Sequence, residues 1–139
     1  MLWDLRTDKR IKKYSGHQNA VRRVCNLNED TIVSCGYDGE VIFWQVEGEK
    51  SDYKKKIKLF DNTDDLHTLA PLFDRDTPLI FVGGGNGSIG ILDFEGNIVS
   101  QFSSSDYAVN YVEFLDCSPI KLVSACEDKI LKVFEISID

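Results

Sequence analysis

Several things are scarce in this sequence, and each scarcity excludes something. The 139 residues include two histidines, His17 and His67, and four cysteines, none of them in a C-x-x-C pair. A metal centre would be short of ligands, and no metal or other cofactor is expected. Cys25, Cys35, Cys117 and Cys126 each sit in or beside an apolar run, so buried free thiols are expected rather than a disulfide framework. No apolar run approaches the roughly 18 residues of a membrane span. The first residues, "MLWDLRTDKR", lack the basic start and apolar centre of a secretory signal. A cytoplasmic or nuclear chain with no membrane partner is expected. Basic excess is also lacking: the net charge is −7. Residues 1–58 hold 12 Lys/Arg against 9 Asp/Glu, or +3, while residues 59–139 hold 4 against 14, or −10. Such an acidic half repels phosphate backbones, so no direct nucleic-acid binding is expected.

Helical periodicity is missing too. No stretch of 11 or more residues places apolar side chains on one helical face. What is present are short β-branched and aromatic runs, among them "AVRRVCNL", "TIVSCGY", "EVIFWQV", "PLIFVGG", "SIGILDF", "VNYVEFL", "KLVSACE" and "ILKVFEI". Their period is two, which predicts an all-β chain of many short strands.

"LIFVGGGNGSIGILDF" contains Gly85, Gly87 and Gly90 in the spacing G-x-G-x-x-G. A dinucleotide loop must open a helix whose first amides face the pyrophosphate, and here a strand-like run follows. The segment also aligns without a gap with two others. "SCGYDGEVIFWQ", "VGGGNGSIGILD" and "SACEDKILKVFE" begin at Ser34, Val82 and Ser124. Each has a turn pair, Asp38-Gly39, Asn86-Gly87 or Asp128-Lys129, followed by an outgoing strand. Two-residue hairpins are expected there, with positive φ at both turn positions. The glycines are read as a turn, and the 42–48-residue spacing as a repeat architecture.

At these residues the chain resembles the WD-repeat β-propeller family, along nearly its whole length. The fullest copy runs from Gly16-His17 to Trp44, with Gln45 in place of the usual Asp, and a Trp-Asp pair stands at Trp3-Asp4. In the degenerate copies Leu92-Asp93 and Phe134-Glu135 hold the Trp-Asp positions, and Asp61-Asn62 and Ser104-Ser105 the Gly-His positions. The resemblance implies blades of four antiparallel strands, a to d from the centre outward. On that plan residues 1–18 end one blade, 19–60 and 65–103 are full blades, and 108–136 supply strands a, b and c. The lysines of "KRIKKYS" and "YKKKIKLF" fall on strand d, where they discourage edge pairing. Three blades do not close a ring of four to eight. A fragment of a longer propeller is therefore expected, or a ring closed by missing blades or by a second copy.

The resemblance also implies roles for residues. Ser34, His17, Asp38 and Trp44 hold the positions of a structural tetrad linking strand b, the d–a loop, the b–c turn and strand c. A Ser/His/Asp set invites a hydrolase reading, but no G-x-S-x-G elbow is present and the tetrad accounts for the Trp as well. No catalytic residues are expected. The middle copy has Val82, Asn86 and Leu92 at tetrad positions and is expected to lack the network. Exposed partner-binding positions on the wide propeller face fall on Ala20, Arg22 and Tyr37 in the first full blade. They fall on Asp65, His67 and Gly85 in the second, and on Ala108, Asn110 and Glu127 in the third. The implied function is a non-catalytic scaffold for protein–protein interactions within a complex. Alternatively, Trp3-Asp4-Leu5-Arg6 matches the W-D-x-R ending by which some family members dock to cullin-RING ubiquitin ligase adaptors. Members serve in ribosome assembly, chromatin modification, RNA processing, trafficking and ubiquitin transfer, and the fold does not choose among them.

Overall fold

The structure is a computed structural model that describes residues 2–46, 53–60, 65–73, 76–115 and 119–136, apart from the side chains of Trp3, Arg10 and Ile11. Among these residues the regular elements are all strands, joined antiparallel. A hairpin of β1 (Leu2–Asp4) and β2 (Lys9–Lys12) comes first. Two four-stranded sheets follow. The first blade is β3 (Val21–Asn26), β4 (Thr31–Gly36), β5 (Glu40–Gln45) and β6 (Tyr53–Lys58). The second is β7 (Leu66–Leu72), β8 (Leu79–Gly84), β9 (Ser88–Asp93) and β10 (Ile98–Ser103). The third sheet has three strands, β11 (Val109–Leu115), β12 (Lys121–Cys126) and β13 (Leu131–Glu135). Strands are hydrogen-bonded in chain order within each sheet, and β7 lies between β3 and β11.

The sheets stack face to face, which creates two cores. Val33, Cys35, Val41 and Phe43 of the first blade pack on Leu69, Ile80, Val82 and Leu92 of the second. Ala70, Leu72, Leu79, Phe81 and Ile89 of the second pack on Val112, Leu122 and Cys126 of the third. A strand between two such cores buries both faces, so all six residues of β8 are buried and its sequence reads as an unbroken apolar run. Alternation survives where one face is open, as in β12, whose burial alternates residue by residue. Pro71 fits inside β7 because that strand is an edge, paired with β8 alone.

The b–c turns differ from the two-residue hairpins expected of them. Gly39, Gly87 and Lys129 have φ of 76°, 84° and 70°, but Asp38, Asn86 and Asp128 are not left-handed. Gly39 N donates to Gly36 O, Gly87 N to Gly84 O and Lys129 N to Cys126 O, at 3.1 to 3.2 Å. The turns are therefore three-residue loops in which a type I turn is followed by one left-handed residue. The Asp or Asn serves a different purpose from a positive φ. Its Oδ1 accepts the amide two residues on: Glu40 from Asp38 at 3.2 Å, Ser88 from Asn86 at 2.9 Å and Ile130 from Asp128 at 3.0 Å. Gly87 is required twice over, since a Cβ there would lie 1.9 Å from Ser105 O. The Gly85–Gly90 segment runs from this turn into β9.

The strand-d lysines of β6 also make specific bonds. Lys54 Nζ reaches Asp30 and Thr31 Oγ1 at 3.0 and 2.8 Å, Lys56 Nζ reaches Gly16 O at 2.9 Å, and Lys58 Nζ reaches Asp38 O at 2.6 Å. These bonds tie β6 to the loops and turn of its own blade.

Candidate functional site

In the first blade one polar chain runs from strand c to the turn. Trp44 Nε1 donates to Ser34 Oγ at 2.8 Å, Ser34 Oγ lies 2.6 Å from His17 Nε2, and His17 Nδ1 lies 2.8 Å from Asp38 Oδ2. Donor and acceptor chemistry sets its direction. The indole N–H only donates and the carboxylate only accepts, so the Ser34 hydroxyl donates a hydrogen bond to Nε2 and Nδ1–H donates to Asp38. The side chains of His17 and Asp38 are only 5% and 6% exposed. Burial pushes the Asp38 carboxyl up, but hydrogen bonds from the Gln18 amide, the His17 ring and the Glu40 amide outweigh it and hold it below its ordinary range. Tyr14 and Tyr53 edges flank the Trp44 ring at 5.7 and 6.3 Å. Gly16 lets the loop cross that ring, since a Cβ would meet Trp44 Cη2 at 2.9 Å.

The other blades are held differently. Val82 and Leu92 are fully buried in the second, where Asn86 retains the turn bond to Ser88. Asp61 and Asn62 lie outside the described residues. In the third blade the chain is split. Ser105 Oγ donates to Asp128 Oδ2 at 2.8 Å, while Ser104 and Ser124 hydroxyls meet at 3.3 Å beside Cys126 Sγ. Ser105 thus keeps the link to the turn that His17 makes in the first blade, and Lys132 joins Ser104 O to Asp128. Cys35 and Cys126 are buried free thiols, burial pushing Cys35 up to about 12, whereas Cys25 is only half-buried; Cys117 lies outside the described residues.

The nine wide-face positions share one geometric device. The a–b ladder of every blade shifts register at the same place: between Val21 and Arg23, Leu66 and Thr68, and Val109 and Tyr111. The extra residues are Arg22, His67 and Asn110. A β-bulge of this kind re-aims the side chain of its extra residue. Beside each bulge the turn closes on the strand: Tyr37 N donates to Ala20 O at 2.9 Å, Gly85 N to Asp65 O at 2.7 Å and Glu127 N to Ala108 O at 3.0 Å.

Side chains then link two blades. The Arg22 guanidinium lies 5.1 Å from the centre of the Tyr37 ring, which lies 5.4 Å from the His67 ring. Gly85 leaves a notch beside His67 Nε2 and Asp65 O. Ala20, Arg22, Asn110 and Glu127 are exposed; Tyr37, Asp65, His67 and Gly85 are half-exposed. Ala108 is a correction. It is buried, at 8% exposure, although its carbonyl accepts the Glu127 amide just as that of the exposed Ala20 accepts the Tyr37 amide. Tyr107, one residue earlier, is exposed instead and lines an open depression of about 320 Å³ with Ser105, Asp128 and Lys132. Sequence reasoning missed it, although an aromatic in the polar turn "SSSDY" was the available signal. At the other end of the chain, Leu5 is 93% exposed and the Arg6 side chain points to solvent beside Asp4 at 3.5 Å.

No cluster of His, Cys, Asp and Glu able to hold a metal occurs among the described residues, and no helix there is long and apolar enough to cross a membrane.

Residues 8–45 match the family model "WD domain, G-beta repeat". Ribosome biogenesis protein YTM1 of Eremothecium gossypii is 28% identical over 127 residues, which is 91% of this chain. The chain spans 27% of that protein's length. Among solved structures, the computationally designed Ika4 protein is similar at a TM-score of 0.74 and 23% identity, over 97% of this chain and 78% of that one. The WD40 β-propeller domain of Doa1 is similar at 0.68 and 18% identity, over 88% of this chain and 39% of that one. These structural likenesses carry the fold, a WD-repeat β-propeller, and the repeat match over residues 8–45 carries the sequence signature.

Proposed function

We propose that this chain is a non-catalytic scaffold that binds other proteins through the face bearing Arg22, Tyr37 and His67, within a complex of ribosome assembly. One observation carries the reading: the same bulge, in the same register, aims Arg22, His67 and Asn110 outward in three successive blades. A feature repeated there is independent of the tetrad, which the second blade has given up. Arg and Tyr are also the residue types that most often anchor interfaces. A non-catalytic role is supported by Ser34, whose oxygen already accepts the indole proton and whose hydroxyl is directed at His17. The ribosome-assembly context, and with it a nuclear location, rests on the likeness to the YTM1 protein. Affinity purification from native cells, comparing the natural chain with Arg22→Glu, Tyr37→Ser and the control Val99→Ser, is the test. Proteins lost with both face variants and kept by the control, and found among ribosomal precursors on gradients, are the expected result. An identical set for all four chains overturns the reading.

A second reading is favoured by the exposure of Leu5 and Arg6. In it the β1–β2 hairpin docks to a cullin-RING adaptor through Trp3-Asp4-Leu5-Arg6, and Arg6→Asp abolishes binding of purified adaptor.

A further inference from the structure

The gapless alignment of the first two blades lets their outer strands be compared position by position. Ile57 of β6 pairs with Val41, and Phe102 of β10 pairs with Ile89 at the same place; each turns into the core between its blade and the next. Both strands carry the same bulge, with Lys54 and Val99 as the extra residues. The backbones therefore correspond, and the side chains around them do not. Lys54, Lys55, Lys56 and Lys58 of β6 stand where β10 has Val99, Ser100, Gln101 and Ser103. No residue from Asn97 to Ser105 carries a charge.

Both strands are outermost in their sheets, and among the described strands β10 pairs with β9 alone. A terminal strand turns alternate N–H and C=O groups away from its one neighbour, and lysines are a common means of keeping another chain off them. β6 has that guard and β10 lacks it. Ile98 and Val99 are 50% and 53% exposed, and Ser100, Gln101 and Ser103 are exposed with them. β10 lies in the interior of the chain, and a core covers each face of its blade, against the first blade and against the third. Its edge is the open side of a blade otherwise enclosed.

We infer that the outer edge of β10 takes up an extended segment of another protein, which adds a fifth strand to the second blade through main-chain hydrogen bonds. The flanking charges define that segment. The nearest charged residues before and after the strand, Glu95 and Asp106, are both exposed carboxylates. A segment with an uncharged centre and basic residues at its ends fits them. A second copy of this chain does not. Two β10 edges paired antiparallel would set the Glu95 end of each against the Asp106 end of the other, and parallel pairing would set like ends together. The site uses strand d rather than the Arg22–Tyr37–His67 face, and it is independent of what binds there.

Fluorescence anisotropy with a labelled synthetic peptide, its centre alternating valine and threonine and its ends lysine, is the test. Binding is expected, with amide hydrogen exchange slowed across residues 98–103 of the chain. Ser100→Lys combined with Gln101→Lys gives β10 the residues of β6 and should raise the dissociation constant at least about ten-fold. Both positions are exposed, so this variant should keep the natural chain's thermal melt. Val99→Ser leaves the edge uncharged and its main-chain groups in place, and should hold the constant within about three-fold. A peptide N-methylated at alternate residues cannot complete the ladder and should not bind. No binding of the lysine-ended peptide at millimolar concentration overturns the inference, as does equal binding of an acid-ended or an N-methylated one. So does binding untouched by the two lysines, or self-association of the chain that they abolish, which would make a second copy the occupant.

Discussion

The first and second blades have the same four strands, the same bulge and the same three-residue turn, yet different chemistry holds them. In the first, Trp44, Ser34, His17 and Asp38 form a continuous hydrogen-bonded chain. In the second, Val82 and Leu92 are buried at the Ser34 and Trp44 positions, and Asn86 holds the turn through its bond to the Ser88 amide. The comparison teaches that the family's polar chain is one of two ways to fasten the b–c turn to strand c. The second blade can dispense with it because cores on both of its faces already clamp β8. In the first blade the Trp44 indole is flanked by the Tyr14 and Tyr53 rings.

Substitutions should break the two blades by different routes. Leu92→Ala is expected to cost about 2–5 kcal/mol, since it removes a fully buried side chain and leaves a cavity between two rigid sheets. His17→Ala is expected to cost roughly 1–3 kcal/mol, because it leaves the buried Ser34 and Asp38 groups without their partner. Chemical denaturation measures both. A His17→Ala cost near zero would remove the contrast.

Acid should discriminate between the blades next. Asp38 has its carboxyl held below the ordinary range, so the stability it contributes is present above the unfolded value and is lost as pH falls through the folded one. Below about pH 4 the natural chain should lose part of its advantage over Asp38→Asn. Denaturation midpoints of the two chains at pH 7 and pH 3 test this, and a gap that stays constant or widens in acid contradicts it. At that position the second blade has Asn86, which does not titrate.

The smallest effect belongs to the third blade. Lys129 occupies the left-handed position that Gly39 and Gly87 fill, at φ 70°. Lys129→Gly should raise stability by up to ~1 kcal/mol, the steric relief outweighing the added freedom of the unfolded chain. A lower melting temperature would show that the Lys129 side chain contributes more than its backbone costs.

These contrasts bear on what the amino-acid order revealed. The all-β plan was legible because period-two runs and Asp/Asn-Gly pairs leave few alternatives, and the repeat because three turns align without a gap. The bulges were not legible. An extra residue in strand a shifts the alternation by one, and in "AVRRVCNL" the shift is hidden between two arginines that suit either face. Turn conformation was misjudged for a related reason: Asp-Gly fits both a two-residue hairpin and the end of a three-residue loop, and only the Gly36–Gly39 bond separates them. Residue type carries no trace of the burial of Ala108, since Ala20 stands at the same position with the same turn bond and is exposed. Ser105 was read as a lost His, yet a shorter hydroxyl still reaches Asp128 at 2.8 Å.

The claim that the first blade is fastened by one coupled network can be tested most directly with a double-mutant cycle of His17→Ala and Trp44→Phe. The two rings lie 6.2 Å apart without hydrogen-bonding each other, and both bond Ser34 Oγ. If the chain acts as a unit, the double variant should be less destabilised than the sum of the singles, by about 0.5–3 kcal/mol. Costs that add to within roughly 0.3–0.5 kcal/mol would show two independent contacts and contradict the network.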